Sequence, residues 1–154
     1  QALGHSSLMI GCLWATGVIA EIALFAFSSK VVARAGAWAL LLVAALAATL
    51  RWVAMAFDPP LELLFVLQLL HGLTFGATHL GIVNLVADAV PAELGGTAQS
   101  LMYSVSSLVG ALSTLAAGAL YGAYGAAAFW AMAAIALGAL FLVLAARLVL
   151  ALGR

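Results

Sequence analysis

The chain has 154 residues, 68% of them hydrophobic and 6% charged, and five Lys and Arg balance five Asp and Glu. Such a composition lies far outside the soluble range, and zero net charge without a basic tract leaves nothing that suggests nucleic acid. It predicts an all-α, polytopic membrane protein, in which the few polar groups are the informative ones.

Residues 8–28, 37–57, 63–86, 99–121 and 127–150 each supply the roughly 20 apolar residues that a crossing needs. All five are expected to be helices in one bundle, because an open strand edge cannot be satisfied in lipid. Residues 1–7 read as an extramembrane loop leading into the first of them. The chain does not begin with Met and shows no signal peptide. A fragment lacking earlier spans is therefore expected, against a complete five-span protein with a processed N-terminus.

At about 100° per residue, Trp14, Gly17, Glu21, Phe25 and Ser28 share a narrow stripe on the first span. Glu21 stands out, since burial of a carboxylate at that depth demands a cationic partner or a proton. Cys12 lies within the same span and has no second cysteine to pair with. The connection at 30–36 carries Lys30 and Arg34 and is expected to break the helix. In the second span Arg51 has two open readings, snorkelling toward the Asp58-Pro59-Pro60 turn or facing a cavity.

The third span has a polar face, where Gln68, His71, Thr74, Phe75, Thr78 and His79 fall within somewhat less than half the circumference. One histidine alone would read as a hydrogen-bonded core residue, whereas two on one polar face point to function. They are poor metal ligands, being about 12 Å apart along the axis with no thiolate or carboxylate on that face. Gly72 and Gly76, like Gly118 and Gly122, have the spacing that lets helices approach closely, and packing is the preferred reading. After a break over 88–96, the fourth span places Gln99, Tyr103, Ser106, Gly110, Ser113 and Thr114 on one stripe. The fifth span, beyond the break at 122–125, has none. Three helices around a cavity are expected, with the fifth facing lipid. Lys30, Arg34, Arg147 and Arg154 fall on one side of such a bundle, which predicts a cytoplasmic C-terminus in a cell inner (plasma) membrane.

The runs GCLWATGVIAEIALFAFSSK (11–30), LRW (50–52), QLLHGLTFGATHLG (68–81) and AQSLMYS (98–104) resemble the C-terminal half of major facilitator superfamily transporters. Within that superfamily the runs resemble the 3-phenylpropionate/proton symporter branch, related to the oligosaccharide/proton symporters typified by lactose permease. The resemblance implies a twelve-helix fold of two six-helix bundles, with the present spans as helices eight to twelve and the N-terminal half as a missing partner. The 28–34 connection would hold the place of the cytoplasmic gating loop, without its usual Gly and Asp. By the same resemblance Glu21 matches the helix-eight carboxylate, Arg51 the helix-nine arginine and His71 the helix-ten histidine. Thr74 stands where the lactose permease pattern has a proton-carrying glutamate, and threonine does not titrate.

Proton coupling is accordingly expected of Glu21 and His71, or of a group in the missing half. Arg51 and His71 can hold a monoanion, while Phe75, Tyr103 and Trp14 offer ring faces. Gln68, Thr78 and His79 complete the expected substrate set. These features favour proton symport of a small organic acid such as an aromatic carboxylate, with bilayer, substrate and proton as partners. No enzyme activity, metal or cofactor is expected. A sugar or nucleoside symporter, an exporter of amphipathic compounds and a non-transporting scaffold are the alternatives.

Overall fold

The computed structural model describes residues 6–152, and among them every regular element is helical. Residues 1–5 and Arg154, on which the expected leading loop and part of the charge asymmetry rest, lie outside the described residues. Helix α1 (Ser7–Ala26) opens at Ser6, whose hydroxyl accepts the Met9 N–H at 3.2 Å. Such a cap satisfies one of the first-turn amides that have no partner within the helix. Helix α2 (Ser28–Ala56) follows after the single residue Phe27.

The expected break over 30–36 is mostly helix. Val, Ala, Lys and Arg can all continue a turn, and the chain leaves helical geometry at Gly36 alone, with φ +73° and ψ 160°. The lysine and arginine therefore sit on a short helical segment, and Ser28, assigned from the sequence to the first stripe, belongs to α2. At the next turn Asp58 takes φ +51° immediately before Pro59. Proline disfavours the right-handed helical region for its predecessor, and aspartate tolerates the left-handed one.

The third span is not a uniform helix. Helix α3 (Leu61–His71) runs into a π-helical turn (Gly72–Ala77), which hands over to α4 (Thr78–Ala89). Wider turns of this kind free carbonyls, and two threonines take them up: Thr74 Oγ1 donates to the His71 carbonyl at 3.2 Å, and Thr78 Oγ1 to the Thr74 carbonyl at 2.6 Å. A 3₁₀ turn (Ala92–Leu94) leads into α5 (Gly95–Tyr124), and a second one (Gly125–Ala128), starting at φ +58°, leads into α6 (Phe129–Leu152). The stretch Ala92–Leu152 is apolar over 61 residues, far more than the roughly 20 of one crossing, and Gly125 divides it. Helices of this length and apolarity form a transmembrane helical bundle.

Helix α2 packs along α4, the π turn and α6, while α1 packs on α3 and the π turn. Leu40, Ala44 and Ala77 form the buried centre, with Leu24, Val31, Val32 and Leu80 around it. The fifth predicted span does not face lipid alone. Helix α6 buries Ala133 and Ala136, and at its start Phe129 stacks on Trp52 at 5.6 Å while Trp130 meets Phe57 edge-on at 5.4 Å. Ile135, Phe141 and Leu142 stay exposed. A run of alanine and leucine looks the same whether it meets lipid or a neighbouring helix, so its sequence could not separate the two faces. By contrast α5 buries no residue, and its main contacts are near α4 and around Gly125.

Close packing explains one of the two glycine pairs. A Cβ on Gly72 would lie 2.8 Å from the Ala20 backbone, and one on Gly76 would lie 2.8 Å from Leu24 Cδ2. Gly118 and Gly122 have nothing within 4 Å among the described residues, so packing does not account for them there.

Candidate functional site

The contact of α1 with α3 sets Glu21 against His71, with Oε2 to Nε2 at 3.9 Å and both side chains partly buried. Gly17, one turn before Glu21 on the same stripe, makes room for the imidazole: a Cβ there would sit 3.3 Å from His71 Cβ. At 3.9 Å the two groups are beyond hydrogen-bond range. They attract as an ion pair when the imidazole is protonated, and a small approach would let them share a proton.

Arg51 turns into the bundle. Its Nη2 donates to Gln68 Oε1 at 2.9 Å, one turn before His71, and its Cζ lies 5.2 Å from the Trp52 ring centroid. Its Nε is buried without a partner, and among the described residues no carboxylate lies within 4 Å of the guanidinium. A partly buried cation held by an amide and a ring face, with a spare donor, is suited to receiving an anion.

The π turn orders a second group. A wider turn brings residues four apart closer to vertical register, and the rings of His71 and Phe75 lie 5.6 Å apart at 16°, those of Phe75 and His79 6.5 Å apart at 15°. Phe25 of α1 meets His79 edge-on at 5.5 Å. From α5, Tyr103 Oη comes to 3.4 Å from His79 Nε2. Phe75, Thr78, His79 and Tyr103 line a cavity of about 340 Å³ between the π turn, α4 and α5, within the size range of small-ligand sites.

The residues singled out from sequence thus divide in two. Glu21, Arg51, Gln68 and His71 form a charged cluster, and Phe75, Thr78, His79 and Tyr103 form an aromatic wall, joined through the His71–Phe75 stack. Trp14 joins neither and is 69% exposed. Thr78 already donates its proton to a carbonyl, so it can offer a ligand only lone pairs. Sequence reasoning missed Ile82, Met102 and Ser107, which also line the cavity. Their helical spacing from His79 and Tyr103 was the available signal, but nothing sets one Ile or Met apart in so apolar a chain.

The MFS_1 like family matches residues 1–132. Over 144 residues, 92% of the chain, the sequence is 38% identical to the probable 3-phenylpropionic acid transporter of Escherichia coli (strain K12). The chain spans 38% of that relative's length. No solved structure matches. With the family model matching most of its length, the chain belongs to the MFS_1 like family of the major facilitator superfamily.

Proposed function

We propose that this chain forms the C-terminal part of a secondary transporter that carries a small organic acid, of the aromatic carboxylate class, together with a proton. The observation that carries the reading is Arg51, a partly buried guanidinium with a buried, unpaired Nε and no carboxylate beside it among the described residues. An arriving carboxylate would supply the missing partner. The adjoining cavity, walled by Phe75, His79 and Tyr103, suits an aromatic ring better than a sugar, which needs more paired carboxylates and amides. The name of the relative, a probable 3-phenylpropionic acid transporter, supports the same class. One proton moving with one monoanion carries no net charge, so a pH gradient alone could drive uptake.

Glu21 and His71 would handle the proton, and Arg51, Gln68 and His71 the carboxylate. Alternating access needs a second bundle across the site, and the proposed partner is the N-terminal half of the same transporter. In vesicles containing the intact transporter, an inward proton gradient should drive saturable accumulation of labelled 3-phenylpropionate. If no aromatic monocarboxylate accumulates or exchanges, the reading fails.

The same proposal sets the chain in the inner membrane with a cytoplasmic C-terminus, supported by Lys30, Arg34 and Arg147 on one side. A cysteine at Ser29, which is exposed, should react only from the cytoplasm, and one at Ala123, also exposed, only from outside. The opposite labelling pattern would invert the orientation.

A further inference from the structure

The cavity beside the aromatic ladder has two unlike ends. Only residues 90–94 join helices α4 and α5, and so short a connection makes them antiparallel neighbours. Their register is pinned where Tyr103 Oη meets His79 Nε2 at 3.4 Å. One turn from His79 toward the end of α4 is Ile82, and on α5 Met102, the residue just before Tyr103, lies on that same side of the contact and also lines the cavity. In the other direction Thr74 comes level with Ser106 and Ser107. The hydroxyl-bearing end therefore adjoins His71, and with it the charged cluster, while the end away from that cluster is walled by a branched aliphatic and a thioether side chain.

A cavity polarised in this way orients an amphipathic anion. The carboxylate goes to the His71 and Arg51 side, the ring lies against Phe75, His79 and Tyr103, and the ring's far edge meets Ile82 and Met102. We propose that Ile82 and Met102 close the ring end of the site and set how large a ring the transporter accepts. This rests on the organic-acid reading above. Ile82 and Met102 are both only partly exposed, so a side chain added to the ring at its para position would press on them, whereas a change near the carboxylate would not. A methionine wall yields more readily than a branched one, because its three rotatable bonds let it fill irregular gaps. Met102 is therefore the side of the pocket that should adapt to modest ring substituents.

The test uses the intact transporter. A 3-phenylpropionate bearing a para-azide should, on illumination of the unaltered protein, attach to Ile82 or Met102, as read by peptide mass mapping. Attachment instead within 68–71 would overturn the proposal, because the ring would then point toward Arg51. In uptake, Ile82→Ala and Met102→Ala should raise the preference for a 3-naphthylpropionate over 3-phenylpropionate at least about tenfold in kcat/KM, the usual scale for a small change in an apolar pocket. Met102→Phe should shift it the other way. An unchanged preference in variants that still carry 3-phenylpropionate overturns this assignment alone. If the unaltered transporter carries no aromatic acid, the functional reading itself falls, and this inference falls with it.

Discussion

Replacing Arg51 with glutamine in the intact transporter should weaken binding of an aromatic monocarboxylate by about 100-fold or more. Removing one partner of a buried, hydrogen-bonded charge pair costs about 2–5 kcal/mol, and two decades of affinity correspond to about 2.7 kcal/mol. Lysine should recover only part of the loss, since a point charge cannot reproduce the two-pronged guanidinium contact or its packing on Trp52. The neutral amide of the same acid should bind the arginine and glutamine proteins almost equally. The empty protein should behave differently from the loaded one. With no carboxylate near it among the described residues and a buried unpaired Nε, Arg51 is a cost until substrate arrives. The substrate-free Arg51→Gln protein should thus melt no lower than the parent, and substrate should raise the melting temperature of the parent alone. Equal affinity of the acid for both proteins would remove Arg51 from the site.

Helical periodicity was enough to find most of this cluster, because the stripes of α1 and α3 follow from residue spacing alone. Glu21 and His71 were each legible on a polar stripe, and Gly17 fell on the stripe of Glu21, but that the two stripes face each other comes from the structure. The pairing of Arg51 with Gln68 was not legible, since it depends on how α2 and α3 are rotated against each other. The π turn was hidden for a related reason. Gly72 and Gly76 read as packing glycines, which they are, but the same spacing serves an α-helical or a π-helical backbone. Charge misled at Lys30 and Arg34, where polar residues continue a helix and only Gly36 bends it. Periodicity also put Trp14 on the Glu21 face, yet the register of α1 against α3 leaves it exposed. The boundary of the cavity was invisible, because Ile82 and Met102 carry no polar mark in a chain that is mostly Leu, Ala, Val and Ile.

Glu21→Gln should abolish accumulation driven by a pH gradient while sparing exchange of bound for free substrate. Among the described residues Glu21 is the only carboxylate within the cluster, and Thr74, which does not titrate, donates its hydroxyl to the His71 carbonyl. Glutamine keeps the size and hydrogen-bonding capacity of Glu21 but neither takes up nor releases a proton. With one proton per monoanion, each pH unit of gradient supports about a tenfold concentration ratio at equilibrium. The Glu21→Gln protein should fall to a ratio of about one, the value expected of a carrier without its coupling ion. His71→Gln should act differently. Its imidazole stands between the carboxylate of Glu21 and the ring of Phe75, so its loss should weaken substrate affinity more than it changes the pH dependence of transport. The competing arrangement puts the proton on the other bundle and leaves Glu21 as a substrate contact. Proton uptake coupled to substrate entry, measured in proteoliposomes, separates the two: a Glu21→Gln protein that still moves one proton with each substrate means that the proton rides elsewhere.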